Sequence, residues 1–244
     1  MKFIKIILIA VFSISLMNII GCASVSTALE HKNLEVASQQ SETIFLDSVS
    51  DRQKTVHISI KNTSDKEILI TPQVIKAIRA HGYKVVRNPN HAHYLLQANI
   101  LKVGKMNKSA ARSALGGGYG SVLSGAITGT ALGSLSSSTN TMVGAGVVGG
   151  LVSMAADSLI KDVNFTMITD IQVSERVNGF VKERTKSNLS NGSSTQTVQD
   201  SSRQTKFQRY RTRVVSNADQ VNLKFADARP ALEHSLAKVI SGIF

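Results

Sequence analysis

The 244-residue chain sets 28 Lys and Arg against 16 Asp and Glu, a formal net charge of +12, and it has one cysteine and no tryptophan. A single cysteine excludes an internal disulfide and a cysteine-based metal cluster, and a chain with 5% aromatic residues makes a poor base-stacking surface. The basic excess would suit anionic partners such as lipopolysaccharide phosphates, although a solvated basic surface is the simpler reading.

In chain order, residues 1–21 read as a lipoprotein signal peptide. Lys2 and Lys5 form the positive start, Ile6 to Ile20 the apolar stretch, and Ile19-Ile20-Gly21-Cys22 the lipobox. Cys22 is therefore the expected lipidation site, carrying diacylglyceride and palmitate chains. Ala23 follows it in place of the Asp that retains lipoproteins in the inner membrane, which points to the outer membrane. Acyl chains contribute about 0.8 kcal/mol per buried methylene, so several give a stable anchor.

Residues 22–112 read as a tether and the first part of an α+β body. Val56, Ile58 and Ile60 alternate with His57 and Ser59, the pattern of a half-buried strand. Asn62 to Asp65 is a turn cluster. Thr71-Pro72 predicts a helix start, with Thr71 as N-cap, Val74, Ile75 and Ile78 as the buried stripe and Gly82 as the stop. Tyr83 to Val86 reads as a short strand. Tyr94 to Val103 reads as another, with Leu96, Ala98 and Ile100 on one face.

From Ser113 to Ala156 there is no charged residue, and eleven of the 17 glycines lie here. Gly117, Ser121, Gly125, Gly129 and Gly133 recur every fourth position, as do Gly146 and Gly150. Small residues at that spacing line one helix face and let helices pack closely. The expectation is a glycine-rich helical hairpin over residues 113–160, transmembrane and self-associating. Ser136, Ser137, Ser138, Thr139 and Asn140 would form its exposed polar tip. Each half, at about 1.5 Å per residue, has the length of a hydrocarbon core.

Residues 161–244 complete the body. Val163, Phe165 and Met167 alternate with Asn164 and Thr166, a strand pattern. Gly179 to Asp200, rich in Ser, Thr, Asn and Gln, reads as a loop or long hairpin tip. In Phe207 to Val215, Arg209, Arg211 and Arg213 alternate with Tyr210, Thr212 and Val214, giving a basic face expected to be exposed or to meet an acidic partner. Leu232, Leu236, Val239, Ile240 and Ile243 form the stripe of a terminal helix. The fold class expected overall is α+β, a small soluble body interrupted by the hairpin.

Catalytic and cofactor motifs fail on context. Gly144 to Gly149 fits GxGxxG, but a Ser/Thr turn precedes it where a dinucleotide site needs a strand. His91 and His93 have no third ligand nearby. Asp157, Asp162 and Asp170 show no acid–base pattern and read as the chain re-entering water. The expectation is a non-enzymatic protein without cofactor or metal.

Several long stretches resemble the TraT family of conjugative plasmids. They are Ala28 to Val36, Ser41 to Leu46, Ile60 to Lys66, Met154 to Asp157 continuing to Val163 to Asp170, Arg213 to Ala218, and Asn222 to Phe225. The resemblance implies a surface-exposed outer-membrane lipoprotein that assembles as a homo-oligomeric ring. It further implies surface exclusion, in which mating-pair stabilisation with the donor-cell apparatus is blocked, and resistance to serum complement. Outer-membrane lipid, the donor's mating apparatus and further copies of the chain are then the partners, and nucleic acid is not. The alternative is a structural glycine-zipper lipoprotein that stabilises the envelope.

Overall fold

The computed structural model describes residues 33–121, 162–191 and 195–244. Cys22 and the signal peptide, Gly125, Gly129, Gly133, Gly146, Gly150 and the tip Ser136 to Asn140 lie outside the described residues.

A six-stranded sheet organises the molecule, in the order β1-β6-β5-β4-β2-β3. The strands are β1 (Glu35–Gln40), β2 (Thr55–Asn62), β3 (Lys84–Val85), β4 (Tyr94–Lys105), β5 (Asp162–Asn191) and β6 (Thr195–Val221). Three helices accompany them: α1 (Thr71–Ala80), α2 (Lys108–Gly116) and α3 (Phe225–Ser241). β2 pairs in parallel with β4 after the α1 crossover, while β4, β5, β6 and β1 pair antiparallel. Strands from both sides of the glycine-rich stretch thus share one sheet.

Alternation along the strands gives each sheet face its own cover. Tyr94, Leu96 and Ile100 of β4 share one face with Met167, Ile171 and Val173 of β5. They form the main core with Val74 and Ile78 of α1 and Leu232, Leu236 and Ile240 of α3. Burying one such side chain contributes roughly 1.5–3 kcal/mol. On the opposite face a smaller cluster holds Ala111 and Ala114 of α2 against Ile168 and Val215.

Local chemistry sets the helix ends. Thr71 is the first residue of α1 and not its cap; Ile70 is the N-cap and makes no side-chain hydrogen bond. The buried Glu233 of α3 covers that end instead, accepting from the Leu69 amide at 3.1 Å and from Gln73 Nε2 at 3.3 Å. A carboxylate beside a helix N-terminus satisfies amides that have no intrahelical partner. In α2 the Asn107 side chain accepts from the Ala110 amide at 2.7 Å, an N-cap that the sequence reading did not place.

The expected fold class is corrected here. Sheet dominates the structure, curving as a half-barrel, and a glycine-rich transmembrane helical hairpin is not supported. Among the described residues no helix is long and apolar enough to cross a membrane. The helix expected to run onward from Ser113 stops at Gly116. Gly118 and Gly120 then adopt φ of +67° and +73°, a left-handed backbone that glycine reaches without steric cost. Four-residue spacing does bring Gly117 and Ser121 together: a Cβ on Gly117 would lie 2.6 Å from Ser121 Oγ. They meet across a turn, however, and not along a helix face. The physical reason is that the glycines which permit close helix packing also permit the chain to leave the helix.

Of the two readings of Gly179 to Asp200, a loop or a long hairpin tip, the structure favours the second. Cross-strand pairing continues to Asn191 opposite Thr195, so the described part of this polar stretch is the far part of a long hairpin. The polar sequence conceals a strand because no side chain described in it, at 179–185 and at Asp200, is buried.

Candidate functional site

The β5–β6 hairpin carries most of the charge chemistry. On the α2 side of the sheet, Asp170 lies directly across from Arg213, Gln172 from Arg211 and Ser174 from Arg209. The side chains of successive odd-numbered arginines therefore point the same way, as the alternation in sequence predicts. Their surroundings differ.

Arg213 is fully buried. Its Nε donates to Asp170 Oδ1 at 2.6 Å and its Nη2 to Asp170 Oδ2 at 3.0 Å, a bidentate pair. The remaining donors reach the α2 end of the glycine-rich stretch: Nη1 to the Ala114 carbonyl and Ser121 Oγ, Nη2 to the Ser121 carbonyl at 3.0 Å. Asp170 Oδ2 also accepts from the Gly120 amide at 2.9 Å. The left-handed turns at Gly118 and Gly120 aim that amide inward. This clasp ties the Gly117–Ser121 turn to the middle of the sheet. It also corrects two expectations: Arg213 is not on an exposed basic face, and Asp170 does not re-enter water. With every donor engaged inside the fold, the guanidinium holds structure and is not presented to a ligand.

Further along the hairpin, Glu183 takes the place of Asp170. It accepts from Arg203 Nε at 2.9 Å and from Arg209 Nη1, and Arg211 Nη2 lies 3.6 Å away. Burial pushes the Glu183 carboxyl upward, but the Arg203 hydrogen bond and the charges of Arg209, Arg203 and Arg211 outweigh it and hold it below the usual carboxylate range. Arg211 also donates to Gln172 at 2.8 Å and stands 5.4 Å over the Tyr119 ring. Arg184 pairs with Asp200 through two hydrogen bonds, at 3.1 and 2.6 Å.

The opposite face of the same hairpin holds a buried carboxylate, Glu175. It accepts from Tyr210 Oη at 3.0 Å and Tyr94 Oη at 3.3 Å, with His93 Nε2 at 3.8 Å. Burial first, then the hydrogen bond to Glu175, pushes the Tyr210 hydroxyl up to about 12. Burial, then the Glu175 charge, pushes Tyr94 up as well. Burial also lowers His93, a shift that the Glu175 charge opposes. Among the described residues no group of three His, Cys, Asp or Glu is placed to hold a metal ion. His91 is exposed, and His93 faces Glu175 and not a second histidine.

The pairing register explains why sequence reasoning missed the clasp. Between the pairs Arg176–Phe207 and Val181–Thr205, β5 advances five residues while β6 advances two. Counting back from the hairpin turn therefore misaligns Asp170 with Arg213; Asn178-Gly179 is the one local signal of the irregularity, and it does not say how many residues are extra.

The matched sequence spans both the body and the hairpin. The family model described as "Enterobacterial TraT complement resistance protein" matches residues 33–244, which include every residue of the clasp and of the Glu183 cluster. The chain belongs to the TraT family. A TraT complement resistance protein of Escherichia coli is 43% identical over 245 residues, with all of both chains covered. Its counterpart in Escherichia coli strain K12 is also 43% identical, with 99% of that protein covered. A TraT complement resistance protein of Wigglesworthia glossinidia brevipalpis is 29% identical over 93% of this chain and 92% of its own length. The chain is thus matched along its whole length by the Escherichia coli relatives and over nine-tenths of it by the Wigglesworthia protein, and not in a single module.

Proposed function

We propose that this chain is a non-catalytic surface lipoprotein that protects its host cell from complement and excludes related plasmids. The observation that carries the reading is the full-length 43% identity to TraT complement resistance proteins. Cys22 is the acylated residue that anchors the mature chain in the outer membrane, exposed at the cell surface. Copies associate with one another in a ring. The donor cell's mating apparatus is the partner whose engagement is blocked. The described side chains fit a holding role. The buried Arg213 and Asp170 are consumed by structure, and Arg184, Arg203 and Arg209 of the hairpin face carboxylates of their own chain.

The test is made in plasmid-free cells expressing the wild-type chain or Cys22→Ser. Serum survival and the frequency of conjugation from a donor carrying the cognate plasmid are measured together. Wild type is expected to raise survival and lower conjugation, and Cys22→Ser to do neither. Unchanged serum survival with the wild type would overturn the complement reading. Unchanged conjugation would overturn exclusion, and altered detergent sensitivity in its place would favour an envelope-stabilising role.

A further inference from the structure

The β5–β6 hairpin outruns the sheet that supports it. β4 covers β5 only as far as Glu175, with one further hydrogen bond from the Arg176 amide to the His93 carbonyl. β1 covers β6 only from Asp219 to Val214. Ser41 then bonds the Arg213 carbonyl, and the chain departs as the Glu42 amide turns to the Thr212 hydroxyl. Beyond these points β5 and β6 pair only with each other among the described residues. From Val177 to Asn191 the ribbon extends about 50 Å at ~3.3 Å per residue. A two-stranded ribbon is marginal alone in water, and each of its edges presents a row of backbone donors and acceptors.

Exposed Lys182 and Lys206 and the register shift between Arg176 and Val181 give the arm part of the usual protection of an edge, but another part is missing. No proline occurs between Asp162 and Val221. Glu183, Arg203, Arg209, Arg184 and Asp200 pair with one another within the hairpin, so they do not stand as free charges guarding an edge. Only Phe207 has a local substitute: its amide donates to the Thr205 hydroxyl at 3.3 Å.

We infer that the two open edges of this arm, residues 181–185 of β5 and 203–211 of β6, pair with the arms of neighbouring copies of the same chain. The inference deepens the self-association proposed above and rests on it. A second copy is the occupant because the ribbon has two free edges of opposite strand direction. When β6 of one copy adds to β5 of the next, the added pair is antiparallel, like the pair inside each arm, and every junction is the same. A single foreign strand would satisfy one edge and leave the other open. Repetition that closes on itself leaves no edge.

The backbone phase chooses the test. The Arg213 carbonyl and amide both point to Ser41, away from β5, so alternate β6 residues down to Thr205 present their amides outward. Thr205 pairs with Val181, which carries the outward phase onto Val181, Glu183 and Thr185 of β5. A proline at Thr205 or Thr185 removes an outward donor and spares the ribbon's own ladder.

Full-length protein is extracted in detergent and its mass measured by light scattering over a protein dilution series. Wild type is expected to assemble. Thr205→Pro and Thr185→Pro, each with wild-type circular dichroism, are each expected to raise the concentration needed for assembly about tenfold or more. A mixture of the two variants should form dimers and nothing larger, because each supplies the edge that the other has lost. In assembled wild type, the outward amides of residues 181–185 and 203–211 should exchange hydrogen slowly, a readout that needs no variant. A monomeric wild type would overturn the self-association itself. Assembled wild type with rapid exchange along both edges, or variants that assemble normally, would overturn only the edge pairing.

Discussion

The base and the arm of the β5–β6 hairpin use the same device, arginines of β6 facing a carboxylate of β5, in two different solvents. At the base, Arg213 and Asp170 are closed off by α2 and the Gly117–Ser121 turn, and the guanidinium is fully buried. On the arm, Glu183 meets Arg203, Arg209 and Arg211, of which Arg203 is 63% exposed and Arg211 42%. Water screens Arg203 and Arg211 and reaches Arg209, 18% exposed, much less, whereas Arg213 is closed off altogether, so removing one member of the base pair is expected to cost more than removing Glu183.

The sharpest way to break the comparison is to remove one member of the buried pair. Arg213→Met leaves the Asp170 carboxylate enclosed without its bidentate partner and is expected to cost about 3–5 kcal/mol in urea unfolding. Replacing both, as Arg213→Met with Asp170→Leu, should recover most of that loss, because no buried charge then remains. The single variant should also expose the Gly117–Ser121 turn to limited proteolysis. A loss near that of a surface pair would show that water reaches Arg213.

The next effect comes from the face shared with the main core. The Tyr210 hydroxyl stands near 12 and Tyr94 is also raised, against an ordinary value of 10.0. As pH rises through that window the unfolded chain releases tyrosine protons that the folded protein keeps, so stability falls with rising pH. Thermal unfolding followed from about pH 9 to about pH 11 should show this decline, and Tyr210→Phe should flatten it. A decline of unchanged steepness in that variant would remove Tyr210 as a cause.

The smallest effect belongs to the arm. Glu183→Gln is expected to cost less than about 1 kcal/mol, and its effect should shrink further at high salt. A salt-independent loss comparable to that of Arg213→Met would mean that the arm cluster is as dry as the base. In an assembled protein that result would place Glu183 within the junction between copies.

The strand cores were legible because burial imposes a period on the sequence. Val56 to Ile60, Leu96 to Ile100 and Phe165 to Val173 alternate and are strands, and the α3 stripe is a helix. The far hairpin was legible only as one of two readings, a loop or a long hairpin tip, since its polar residues show no apolar alternation that would choose the strand. The end of α2 was not legible. Glycine at every fourth position describes a helix face, but Gly118 and Gly120, which lie between members of that series, take a left-handed backbone and turn the chain just after the helix ends.

The sequence by itself determined family membership, carried by continuous stretches along the chain, and the faces on which most core strands and helices are buried. Those properties are local or additive, because each residue contributes them whatever its distant neighbours do. Only the tertiary structure decided which of three alternating arginines is buried, which carboxylate it meets, and where the hairpin loses its supporting strands. Each depends on a register that shifts between Arg176 and Val181, and on α2 covering one end of the sheet and not the other. A side chain's electrostatic worth follows from the water around it, and that water is removed only when distant segments close over it.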